Sequence, residues 1–144
     1  MRTARFAMAA GGVCGLLGVA AGAFGAHALA ERLSPEHLEV YRTAVLYQLI
    51  HSVALISIGA AACAPSHADE RATRRLGVSS WAFVLGIALF SGSLYVLTLA
   101  GFRAAGVVTP FGGACFLLGW AFLVRTALGF VTGPTSTESP ANVE

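Results

Sequence analysis

The chain has 144 residues, of which 56% are hydrophobic and only 11% charged, with a formal net charge of +2. Soluble domains carry about 25% charged residues, so a chain this apolar, with a mean hydropathy of +0.74, lacks the charge to present most of its surface to water. The small net charge argues against a nucleic-acid partner. The three cysteines, Cys14, Cys63 and Cys115, form no CxxC pair, which argues against a zinc site or a disulfide framework and leaves them as small apolar packing residues.

A helix needs roughly 20 apolar residues to cross a hydrocarbon core about 30 Å thick. The formal charges cut the chain into four such stretches, Phe6 to Ala30, Thr43 to Ala68, Leu76 to Phe102 and Ala104 to Val124. Lipid offers the backbone no hydrogen-bond partner, so each must be helical. The fold class expected is therefore all-α, an integral membrane four-helix bundle. Residues 1–132 form its one domain, with spans near 6–28, 44–63, 78–100 and 108–129.

The first span carries Gly11, Gly15, Gly18, Gly22 and Gly25. The four-residue spacing of Gly11/Gly15 and Gly18/Gly22 lets two membrane helices approach closely. A cleaved signal peptide is the rival reading, with Arg2 and Arg5 as its basic end and Ala26-His27-Ala28 as the cleavage site. The apolar run exceeds the usual length of such a segment, and a discarded peptide has no need of packing glycines. The span is therefore expected to be retained.

Between the first two spans, Ser34-Pro35-Glu36 has the form of a helix N-cap, a first-turn proline and an early acid. Leu38, Tyr41 and Val45 follow at helical spacing. They predict a short amphipathic interfacial helix between spans 1 and 2, leading into the second. The alternative is a polar link that simply extends the second helix. Pro65 is placed to stop that helix. Pro110 falls in the first turn of the fourth span, where its missing N–H costs little. Arg125 lies near that span's end, close enough to the surface to snorkel. The tail, residues 133–144, is rich in Pro, Ser and Thr and is expected to be disordered.

All nine basic residues are arginine. Arg2, Arg5, Arg71, Arg74, Arg75 and Arg125 fall on one side of the four spans, and Arg32, Arg42 and Arg103 on the other. The positive-inside rule then predicts both termini in the cytoplasm.

Polar residues interrupt the spans in four places: His27 at the end of the first, Tyr47, Gln48 and His51 early in the second, Ser91, Ser93 and Tyr95 late in the third, and Thr109 with Gly112 and Gly113 at the start of the fourth. Successive spans reverse direction, so these positions share one level and predict an intramembrane polar layer. An unpaired polar group in hydrocarbon costs several kcal/mol, so the layer must face inward. It either locks the helices together or forms a binding or proton-handling site. Ligation of haem or metal by His27 and His51 finds no accompanying carboxylate within the spans and no CxxCH, and no cofactor is expected. Catalysis finds no GxSxG elbow around Ser91 or Ser93, and Gly112-Gly113 is not followed by the Lys-Ser/Thr of a phosphate loop. No enzymatic activity is expected.

The same positions carry a resemblance. GAFGAH from Gly22 to His27, YQxxH from Tyr47 to His51, FSGSLY from Phe90 to Tyr95, and TPxGG…GW from Thr109 to Trp120 occur in order. Over residues 6 to 130 the chain resembles the small inner-membrane proteins grouped as domain of unknown function 423, YgdD-like in bacteria with related small transmembrane proteins in eukaryotes. The resemblance implies a multi-pass plasma-membrane protein and no particular activity or substrate. The leading expectation is a structural or accessory membrane protein whose partners are the lipid bilayer and, through the glycine-rich first helix, a homo-oligomer. A small transporter or channel component using the His/Tyr/Ser layer is the alternative.

Overall fold

The structure is a computed structural model that describes residues 1–63 and 70–131. Every regular element among the described residues is helical: α1 (Arg2–His27), α2 (Pro35–Cys63), α3 (Glu70–Gly86), a π-turn (Ile87–Ser91), α4 (Gly92–Ala100), a 3₁₀ turn (Arg103–Val107) and α5 (Thr109–Val131). α3, the π-turn and α4 make one continuous rod, so there are four rods, each long and apolar enough to cross a membrane. The Pro65 stop and the tail 133–144 lie outside the described residues.

The rods overrun the apolar stretches that define them. Hydrocarbon thickness limits the uncharged length, but the backbone hydrogen-bond ladder continues wherever water or headgroups meet the side chains. The third rod begins at Glu70, eight residues before its expected start, and its 31 residues span about 46 Å at about 1.5 Å per residue. The fourth begins at Thr109, with Pro110 in its first turn as expected. Gly101 ends α4 in the left-handed conformation, φ 67°, which a glycine adopts without a Cβ clash.

The segment after Ser34 is helical from Pro35, and the backbone N–H of His37 donates to Ser34 Oγ at 3.3 Å, the N-cap bond the sequence predicts. It is not a separate interfacial helix, however. Pro35–Cys63 runs unbroken. Its apolar positions explain the difference: Tyr41 and Val45 are buried against Leu29, with Ala21 beside them. That face packs on the first rod instead of lying in the membrane surface.

Half of the second span is buried, against 17% of the first and the fourth. α1 packs chiefly on α2, and α5 chiefly on α3. The second and third rods therefore form the centre, and the first and fourth flank them. The main core joins Ala7, Leu55, Ile58, Leu76, Phe83, Ile87 and Phe116. Around it Leu16, Leu17, Val53, Leu117 and Leu128 stand 58 to 73% exposed. Such a continuous apolar exterior suits lipid, not water.

Candidate functional site

The polar layer assembles mainly on α2. Gln48 is buried and uses both ends of its amide: Nε2 donates to the Cys14 carbonyl of α1 at 2.8 Å, and Oε1 accepts from the Tyr95 hydroxyl of α4 at 2.9 Å. Tyr41, two turns earlier on the same face, donates its hydroxyl to the Ala21 carbonyl at 2.8 Å, and its ring lies 5.2 Å from that of Tyr95. Ser91 Oγ donates across to the Ala44 carbonyl at 2.8 Å. Ser93 points the other way, to α5, where its hydroxyl meets that of Thr109 at 2.7 Å. α1, the π-turn, α4 and α5 are thus tied to their neighbours by hydroxyl and amide groups within about two turns of α2.

Glycine placement makes the carbonyl contacts possible. Side chains on a helix lean toward its N-terminus and cover the turn before them. A glycine four residues on leaves the earlier carbonyl uncovered. Gly18 follows Cys14 by four, and a Cβ there would lie 2.8 Å from Leu49 Cδ2 and 3.4 Å from Gln48 Nε2. Gly25 follows Ala21 by four, and a Cβ there would lie 2.6 Å from the Tyr41 ring. Gly11, two turns before Gly18, sits against the Ser52 carbonyl. These three form the face of α1 that meets α2. Gly15 and Gly22 lie at ordinary contact distance from the same helix.

His51 forms a second centre one turn below Tyr47. It is 4% exposed, and its ring stacks on Phe116 with centroids 3.6 Å apart and planes 8° from parallel. Nδ1 lies 2.7 Å from the Tyr47 carbonyl, and the Trp120 indole N–H donates to Nε2 at 3.2 Å. A carbonyl can only accept and an indole N–H can only donate. These partners assign the proton to Nδ1 and leave Nε2 as the acceptor.

Two of the expected layer residues are placed differently. His27 ends α1 on the exposed surface. In the antiparallel α1–α2 register, Gly11 is opposite Ser52, so about fifteen residues, about 22 Å of helix, separate the levels of His27 and His51, and the two-histidine ligand pair is not assembled. Tyr47 is also exposed; it contributes its backbone carbonyl, and its ring stacks on Phe90 at 4.5 Å. No group of three or more His, Cys, Asp or Glu side chains suited to a metal occurs among the described residues.

The third and fourth rods interlock by a different device. Gly86 receives Phe116, and Gly119 receives Phe83. Gly112 lies against the backbone of Phe90, inside the π-turn, whereas Gly113 has open space until Phe90 Cδ2 at 4.0 Å. The π-turn adds one residue to the rod, with the Gly92 N–H reaching back to Ile87 O. Ser91 and Tyr95, which follow it, face α2, and Ser93 faces α5. Sequence reasoning missed Trp120 and Phe116 as partners of His51, although the GW pair marked the position. It also missed Tyr41 as a polar contact and the backbone acceptors, which no residue type announces.

The comparisons with known proteins point to a family of membrane proteins. The family described as "Protein of unknown function (DUF423)" matches residues 21–113. The UPF0382 membrane protein SH2409 of Staphylococcus haemolyticus is 38% identical over 121 residues, 84% of this chain and 93% of that protein. The chain belongs to the DUF423 family. Another relative is the UPF0382 membrane protein YwdK of Bacillus subtilis, 34% identical over 84% of this chain and 94% of its own length. The UPF0382 inner membrane protein YgdD of Escherichia coli is 35% identical over 88% of this chain and 92% of its own. No solved structure matches. As a DUF423 protein the chain is a multi-pass membrane protein, and the names of its relatives state a membrane location and no activity.

Proposed function

We propose that this DUF423 protein is a non-enzymatic membrane protein of structural or accessory type, in which the polar layer locks the bundle into one arrangement. The observation that carries this reading is Gln48, whose amide is paired at both ends, to Cys14 on one side and to Tyr95 on the other. A transport site needs polar groups free to exchange partners. Here Ser91, Ser93, Tyr95, Thr109 and His51 each have a partner inside the bundle. The reading places both termini in the cytoplasm, on the arginine asymmetry. It leaves self-association through the α1 glycines out, because Gly11, Gly18 and Gly25 already face α2.

Two measurements test it. Tyr95→Phe and Gln48→Met are expected to lower the unfolding temperature in detergent, each by the equivalent of about 0.6 to 2 kcal/mol. Wild-type protein in liposomes loaded with a pH-sensitive dye is expected to leak protons no faster than empty liposomes. A proton flux that Tyr95→Phe abolishes at unchanged stability would replace the structural reading with the transport one. Light scattering should find one chain of 14.8 kDa per micelle.

A further inference from the structure

Four arginines converge where α3 begins and α5 ends. Arg71, Arg74 and Arg75 lie on one face of α3, with Val78 a turn further in. Arg125 and Phe122 face them from α5, and together these six residues line an open cleft of about 550 Å³. Among the described residues its lining contains no Asp or Glu.

The cleft is also partly fixed in shape. Arg75 Nη1 donates to the Arg125 carbonyl at 3.3 Å, bridging the two helices. Gly129 makes this possible, since a Cβ there would lie 3.0 Å from the same Nη1. Arg75 thus holds the cleft together, while Arg74 and Arg125 are exposed at its rim. Val78 and Phe122 supply an apolar floor. The third span's uncharged stretch starts at Leu76, which puts the guanidinium groups at the depth of the headgroups.

We propose that this cleft binds a phosphate-bearing anion, with the headgroup of an anionic phospholipid as the expected source. Planar guanidinium groups match phosphate oxygens in bidentate pairs. Basic pockets between membrane helices at the cytoplasmic surface suit such headgroups. The apolar floor accommodates the glycerol and first methylenes of a lipid, which inorganic phosphate lacks. This inference uses none of the residues of the polar layer, and only its cytoplasmic placement rests on the orientation proposed above.

The test uses the full-length protein in a detergent with an uncharged headgroup. Tryptophan fluorescence and thermal unfolding are followed against short-chain phosphatidylglycerol, short-chain phosphatidylcholine and inorganic phosphate. Phosphatidylglycerol is expected to bind in preference to phosphatidylcholine. Arg74→Gln/Arg125→Gln is expected to weaken it about 25-fold, from about fivefold for each arginine near an anionic headgroup. Arg32→Gln/Arg42→Gln, at the opposite end, should leave the affinity unchanged, and unfolding without added lipid reports whether each variant still folds. A response to inorganic phosphate that is lost in Arg74→Gln/Arg125→Gln, with no lipid preference, keeps the phosphate site and assigns it a soluble ligand. Equal responses of wild type and that variant to all three probes overturn the proposal.

Discussion

The indole N–H of Trp120 on α5 points at Nε2 of His51 on α2, 3.2 Å away. This contact joins the second and fourth rods, which run in the same direction and meet mainly through side chains. It also fixes which nitrogen of His51 carries the proton. Replacing Trp120 leaves Nε2 of the buried His51 without that donor, and replacing His51 leaves the indole N–H of Trp120 without its acceptor on an apolar exterior. Trp120→Phe and His51→Phe should each lower stability by about 1 to 3 kcal/mol. The double variant should lose less than the sum, because neither orphan remains. Thermal unfolding of the three variants measures the coupling, and simple additivity would show that the contact contributes nothing.

Gly112 and Gly113 are neighbours in sequence with opposite surroundings. A methyl on Gly112 meets the Phe90 backbone, which cannot rotate away, whereas one on Gly113 finds open space. Gly112→Ala is expected to destabilise by about 1 to 3 kcal/mol, the usual range for overpacking. Gly113→Ala should be close to neutral. Comparable unfolding temperatures for both would mean that α5 does not seat on the π-turn as described.

Ser79 and Ser91 provide a second contrast. Both are fully buried. Ser91 donates to the Ala44 carbonyl, whereas Ser79 Oγ has no hydrogen-bond partner among the described residues. Ser91→Ala should cost about 1 kcal/mol. Ser79→Ala removes an unsatisfied hydroxyl and should leave stability unchanged or raise it. A clear loss from Ser79→Ala would reveal a partner for that hydroxyl.

Topology is open to direct labelling in a variant lacking Cys14, Cys63 and Cys115. A cysteine at position 34 should react with an impermeant maleimide in intact cells, and one at position 66 only after permeabilisation. Reaction of both from outside would break the alternation of directions that brings the polar residues to one level.

Much of this architecture was legible before any coordinates. Hydrocarbon does not solvate charge or unpaired backbone, so the gaps between arginines and acids mark the four rods, and reversal at each crossing places Gln48, Ser91, Tyr95 and Thr109 at a common depth. Span limits were less legible, since nothing in hydrophobicity stops a helix at the membrane surface; α2 and α3 therefore start eight or nine residues early. The tertiary structure alone decided who pairs with whom. The acceptors of Gln48, Tyr41 and Ser91 are backbone carbonyls, present at every residue and exposed only where packing and a glycine such as Gly18 uncover them. The turn that carries Ser91 depends on one inserted residue, a change of register that leaves no mark in composition. The arginine cleft joins positions 71–75 to position 125, fifty residues apart, and such a meeting exists only once the third and fourth rods lie side by side.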